Sequence, residues 1–197
     1  MKLLLLIVLI TVFPVFGQDA YVLKTDGSKI SVDDASVRII TSDKKILFRP
    51  AEKGREQTLS FSDFDILIYN NFKFKSLNIN KKTEKDGYFI LAESNSKSLI
   101  FKILTANPQD EDELPKPIFQ LLIIDEFLST LSSFIVNDQT NIKNIEVRNQ
   151  ILLNIKMAFP NCDNLINRVM DYDKKNGDSK NLSILGIFNS PVYFDCK

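Results

Sequence analysis

Between Tyr21 and Leu104 the chain alternates apolar and polar positions with a period of two, or gathers apolar residues in short runs broken by turn residues. This is the pattern of β-strands. "YVLKTDGSKISV" reads as two strands around Thr25-Asp26-Gly27, because glycine accepts a positive φ at no steric cost. "SVRIITSDKKILFR" repeats the plan around Ser42-Asp43-Lys44, and its β-branched run suits a pleated, half-buried surface. Pro50 to Glu56 is charged, carries Pro and Gly, and reads as a loop. In "TLSFSDFDILIYNNFKFKSLNI", Phe72 and Phe74 alternate with Lys73 and Lys75, which predicts a strand with its lysines outward on a wet face. A lysine-lined strand of this kind suits a sheet edge, where it blocks pairing with another chain. "GYFILAE" and "SLIFKIL" read as a hairpin around Ser94 to Lys97.

"NPQDEDELPKP" is an acidic, proline-bearing loop, and the stretch after it, Ile118 to Val136, reads two ways. Ile118, Leu121, Leu122, Leu128 and Leu131 fit a helical stripe, whereas "FQLLII" and "SSFIV" fit two buried strands around Asp125-Glu126. Periodicity alone does not decide between them. From Asn141 onward the period is helical. Ile142, Ile145, Leu152, Ile155 and Phe159 recur on one face until Pro160 ends the run, because proline lacks the donor a helix needs. A second helix comes next with Asn161 as its N-cap, and Leu165, Ile166, Val169, Met170 and Tyr172 form its apolar side. "KKNGDS" reads as a turn, and "KNLSILGIF" as a last short helix closed by Pro191. The expected fold is α+β: an antiparallel β-rich body over residues 18–137, with a helical segment over 138–197 packed on or next to it.

The N-terminus changes the picture. Lys2, the apolar run Leu3 to Phe13, then Pro14 and the small Gly17 have the layout of a signal peptide cleaved after Gly17. A membrane helix needs about 20 apolar residues, and this run is shorter. The expected location is therefore periplasmic or secreted, with no membrane span in the mature chain and no cysteine at the cleavage site for a lipid anchor. The 25 basic and 25 acidic residues balance, so nothing draws the whole chain to nucleic acid.

Histidine and tryptophan are both absent. That excludes a Ser-His-Asp triad, a Cys-His pair and an imidazole metal site, and it lowers the prospect of catalysis without removing it. Two cysteines, Cys162 and Cys196, remain. In an oxidising compartment they most simply pair with each other, which would tie down a terminus that otherwise frays; a bridge to another chain and free thiols are the alternatives.

Four stretches invite chemistry, and each has a plainer explanation. "DYDKKNGDS" clusters Asp171, Asp173, Asn176 and Asp178, but Lys175, Asn176 and Leu182 break the calcium-loop register, leaving a polar turn. Asp110 to Glu113 is a solvated acidic loop rather than a cation site. "FKFKSLNINKKTEK" mixes aromatics with lysines, but alternation explains it without a nucleic acid. Asp63 and Asp65 would share one side of a strand as a carboxylate pair, yet glycoside chemistry takes its two carboxylates from different segments. No residue is assigned a catalytic, cofactor-binding or metal-binding role. Asn181-Leu182-Ser183 is a glycosylation sequon if the source is eukaryotic.

"LKTDGSKI", "GYFILAE", "FPNCDNLINRV" and "LSILGIFNSPVYFDC", in that order, resemble a family of small exported bacterial proteins with a β-rich body and a two-cysteine helical tail. The resemblance covers most of the mature chain, favours two strands over Ile118 to Val136, supports the Cys162–Cys196 bridge, and implies no activity. Where such tails often read Cys-Pro, this chain has Cys162-Asp163. Three functional classes stand. The leading one is an exported binding or interaction module that meets an envelope or extracellular protein. The others are a structural or assembly component of the cell envelope, and a histidine-free hydrolase working through carboxylates or a Ser-Lys pair.

Overall fold

The computed structural model describes residues 20–52, 54–104, 118–137, 145–174 and 191–196. The signal segment, the acidic run Asp110 to Glu113, Ile142, the "KKNGDS" turn, the last short helix and the sequon at Asn181 lie outside them.

Among the described residues the β-pattern yields eleven strands before the helices: β1 (Tyr21–Lys24), β2 (Lys29–Ser31), β3 (Arg38–Ile40), β4 (Lys45–Phe48), β5 (Gln57–Ser60), β6 (Phe64–Tyr69), β7 (Phe72–Leu77), β8 (Asp86–Glu93), β9 (Lys97–Leu104), β10 (Ile118–Asp125) and β11 (Thr130–Asn137). Two helices come after them, α1 (Ile145–Ala158) and α2 (Asp163–Lys174), then a two-residue strand, β12 (Phe194–Asp195). The fold is α+β. One antiparallel sheet runs in the order β11-β10-β9-β8-β7-β6-β1-β2, and a smaller one runs β3-β4-β5. The sheets meet where Val32 pairs with Pro50.

The turns form for local reasons. Gly27 takes φ 83°, and Asp26 caps the turn by accepting from the Ser28 N–H at 2.9 Å. Between β6 and β7, Asn70 and Asn71 both adopt positive φ, the geometry a two-residue hairpin needs to match strand twist. Residues 118–137 form two strands, not a helix, which agrees with what the resemblance favours. The second helix starts at Asp163, not after Asn161; the Cys162 carbonyl takes the first bond, from the Ile166 N–H at 3.0 Å.

Each face of the large sheet is covered over part of its area. On one, Phe101, Phe119 and Leu121 pack against Ile151, Ile155 and Phe159 of α1 and Leu165 and Val169 of α2. On the other, Tyr88, Ile90, Ile100, Leu122 and Ile124 pack beneath Ile79, which the 78–82 segment carries across the strands. A third cluster around Phe48, Phe61, Phe64 and Phe74 fills the space near the smaller sheet. Gly87 is required there: a Cβ on it would lie closer than 3.0 Å to the rings of Phe74 and Phe61.

The tail ends differently from a purely helical segment, because β12 returns to the large sheet. β7 pairs with β8 from Asp86 to Ile90; beyond that, β12 pairs parallel to Ala92 and Glu93. The Cys196 N–H donates to the Glu93 carbonyl at 2.7 Å, and Cys196 is bonded to Cys162, with a Cα–Cα distance of 5.2 Å. The bridge ties the tail strand to the residue that opens α2 and spans 34 residues of sequence.

Removing either the bridge or the glycine costs stability. Cys196→Ser lowers unfolding free energy by about 3–4 kcal/mol through lost loop-closure entropy; urea titration measures it, and hydrogen exchange at the residue 196 amide accelerates with it. Gly87→Ala costs about 1–3 kcal/mol by overpacking the phenylalanine cluster, and a urea midpoint equal to that of the parent would refute the close approach.

Candidate functional site

The site grows from one irregularity in β8. Its register against β9 passes from Ile90↔Ile100 to Ala92↔Leu99, so Leu91 is an extra residue, a β-bulge. In plain alternation Phe89, Leu91 and Glu93 would share the helix-covered face. The extra residue instead puts Ala92 there beside Leu99 and sets Glu93 opposite Ser98 on the other face. That face carries Lys73 and Lys75 of β7.

Both lysines meet Glu93. Lys73 Nζ donates to Oε2, and Lys75 Nζ donates to Oε1 at 2.5 Å. The Tyr193 hydroxyl of the returning tail donates to Oε2 at 3.1 Å, and the Lys73 ammonium lies 4.4 Å from the Tyr193 ring centroid. The side chains are 16%, 23% and 11% exposed for Lys73, Lys75 and Glu93, too little for a freely solvated face. The expectation of outward lysines on a wet face is therefore corrected. β7 also lies between β6 and β8, so its lysines guard no edge.

Burial by itself would raise the Glu93 carboxyl; hydrogen bonds from Lys73 and Lys75, with their charges, outweigh it and hold the group below the usual carboxylate range. Burial pushes the Tyr193 phenol up, and the charges of Glu93 and Asp195 add to it, so the hydroxyl stays a donor. Glu93 thus receives three donors and remains charged. It works as an anchor, not as a base poised near neutrality.

Beside this cluster lies a small open cavity of about 100 Å3, lined by Tyr21, Ile66, Ile68, Asn71, Phe72, Lys73 and Tyr193. β1, β6 and β7 supply one wall and the tail supplies Tyr193. Lys29 stacks on one wall residue, its Nζ 3.8 Å from the Tyr21 ring centroid.

The residues singled out from the sequence fall elsewhere. Cys162 and Cys196 form the bridge that holds Tyr193 in place. Asp63 lies in the turn before β6 and accepts from Ser62, while Asp65 pairs with Lys85 at 2.7 Å, so the two do not act as a carboxylate pair. Asp171 and Asp173 lie within α2, and Asn176 and Asp178 lie outside the described residues. Among the described residues no group of three His, Cys, Asp or Glu side chains comes together to hold a metal ion, and no helix is long and apolar enough to cross a membrane. Glu93, Tyr21 and Tyr193 were not singled out from the sequence. The signal for Glu93 was present: it is the one charged residue closing the apolar run "YFILA".

Comparison with protein-family models, curated proteins and solved structures found no match.

The ion cluster sets the pH response. Because the Glu93 pKa is depressed, its contribution is complete above the ordinary glutamate value near 4.5 and is lost as pH falls through the lower folded value. The Tyr193 pKa is raised, so its contribution holds below the ordinary value of 10.0 and is lost as pH rises beyond it. Glu93→Gln strands two half-buried ammonium groups and lowers stability by about 3 kcal/mol at neutral pH. Adding Lys75→Met recovers part of that loss. Urea titrations from pH 3 to 8 measure both effects, and an unchanged acid limb in Glu93→Gln would contradict the assignment.

Proposed function

We propose that this protein is an exported binding module that receives one apolar side chain of a protein partner in the cavity between Tyr21 and Tyr193. The cavity's size carries the reading. Sites for small molecules and cofactors span roughly 300–1,000 Å3, whereas this one holds about 100 Å3. A dry cavity that binds benzene measures about 150 Å3, so an open one of this size accepts a single ring part-way. Its walls suit such a guest: Ile66 and Ile68 are apolar, Tyr21 and Tyr193 are aromatic, and Asn71 and Lys73 give polar contacts.

The polar groups behind the cavity support recognition over catalysis. Glu93 is saturated by Lys73, Lys75 and Tyr193, which fixes the wall before any guest arrives and reduces the entropy lost on binding. Export is supported by the Leu3 to Phe13 run that precedes Gly17, and by the closed Cys162–Cys196 bridge, which suits an oxidising compartment. On this reading the first 17 residues are removed and the mature chain meets an envelope or extracellular protein.

Titration with p-cresol, monitored by NMR at the Ile66 and Ile68 methyls and the Tyr193 ring, tests the cavity. Saturable shifts at these groups, with the Ile151 and Ile155 methyls still, are expected. Shifts spread evenly over both sets, or none, would remove the site.

A further inference from the structure

The turn between β10 and β11 presents an aromatic ring to solvent and is built to hold it there. Phe127 is 77% exposed, the most of any large apolar residue described. The backbone beneath it is pinned from two sides. Asp125 Oδ1 accepts from the N–H groups of Phe127 at 3.0 Å and Ser129 at 2.8 Å. From the other side, the Asn80 N–H donates to the Leu128 carbonyl at 3.0 Å, and Asn80 Oδ1 accepts from the Thr130 N–H at 3.0 Å. Leu128 takes φ 61°, and Asn80 and Lys81 take 55° and 57°. Asn80 adopts this region readily, whereas Leu128 and Lys81 do so at a cost that the surrounding hydrogen bonds offset. A solvent-facing phenylalanine on a pinned turn has the character of an interface anchor, because its backbone has little entropy left to lose.

From this geometry we infer that Phe127 of one molecule enters the Tyr21–Tyr193 cavity of a second copy of this chain. The inference rests on the reading of that cavity as a side-chain receptor. Two further observations select a second copy as the occupant. The guest suits the cavity, since about 100 Å3 takes one ring part-way and Phe127 offers one ring. The charges also match. Glu126, next to Phe127, is exposed and has no cation partner among the described residues; Lys29, stacked on the Tyr21 ring of the cavity wall, is exposed and has no carboxylate partner among them. Self-insertion is ruled out because β7 and β10 are three strand spacings apart, about 14 Å, and the turn is pinned. Each copy carries both a ring and a cavity, so it can give and receive: two copies can exchange rings about a two-fold axis, or copies can add head to tail.

Sedimentation velocity of the disulfide-bonded mature protein, from micromolar to millimolar concentration, tests the inference. Mass average should rise with concentration. Phe127→Ala should weaken association by about 30-fold or more. Phe127→Ala retains only the cavity, and Ile66→Trp, which fills the cavity, retains only the ring; each alone should stay monomeric, and their mixture should stop at a 1:1 dimer. Because Lys29 and Glu126 are exposed, reversing them leaves the fold intact. Lys29→Glu or Glu126→Lys alone should weaken association, and both in one chain should restore it. A protein that stays monomeric while p-cresol still fills the cavity overturns the inference and leaves the receptor reading standing. Failure of both assays removes both. Association that survives Phe127→Ala, or Phe127-dependent binding to vesicles of anionic phospholipid without self-association, also overturns it.

Discussion

Glu93 is a buried carboxylate whose position depends on one extra residue, Leu91, in β8. Without that bulge its side chain would enter the face where Phe89 packs on Phe101, and an unpaired carboxylate there costs several kcal/mol. With the bulge it meets two ammonium groups and a phenol instead. The gain is mutual, since Lys73 and Lys75 would otherwise be half-buried cations with no counter-charge. The backbone of the same residue takes the Cys196 N–H. One residue therefore locates a pair of lysines on one strand and the end of the chain on another.

The tail depends on that anchor and on the bridge. A two-residue parallel strand such as β12 has almost no stability alone, and parallel pairing is slightly weaker per residue than antiparallel. It stays because three restraints act within a few residues: the Phe72↔Val192 bridge, the Tyr193 hydroxyl on Glu93, and the Cys162–Cys196 bond. Tyr193 is also a wall of the cavity. Cys196 thereby shapes the cavity while lining none of it, because without the tail the cavity loses a side.

The hairpin plan was legible wherever turn chemistry is local. Asp26-Gly27 and Ser42-Asp43-Lys44 mark turns by residue type, and Gly27 and Lys44 do take positive φ. Residues 118–137 were ambiguous for a physical reason. β10 is covered by helices on one face and by Ile79 on the other, so Leu121 to Ile124 are apolar without a break and carry no period. Lys73 and Lys75 gave the correct period but the wrong solvation. Their partner lies about 20 residues on, and it reaches their face only because the bulge shifts it, which no count along the chain reveals. The cavity was hidden for the same reason: Tyr21 and Tyr193 come from opposite ends of the chain.

A chain of rings makes the large sheet a stiff frame between its two surface features. Phe61, Phe74, Phe89, Phe101 and Phe119 succeed one another at centroid separations of 5.5, 5.1, 5.0 and 6.0 Å, crossing from the turn before β6 to β10. Packed rings resist shear because each is held by the next, and interiors at such density transmit strain instead of absorbing it. The cavity on β1, β6 and β7 and the hairpin tip beyond β10 therefore keep one fixed relation. For an isolated receptor that relation is without consequence. For copies that join ring to cavity it sets the rotation and rise added at every step, so the twist of this sheet decides whether such an assembly closes or continues.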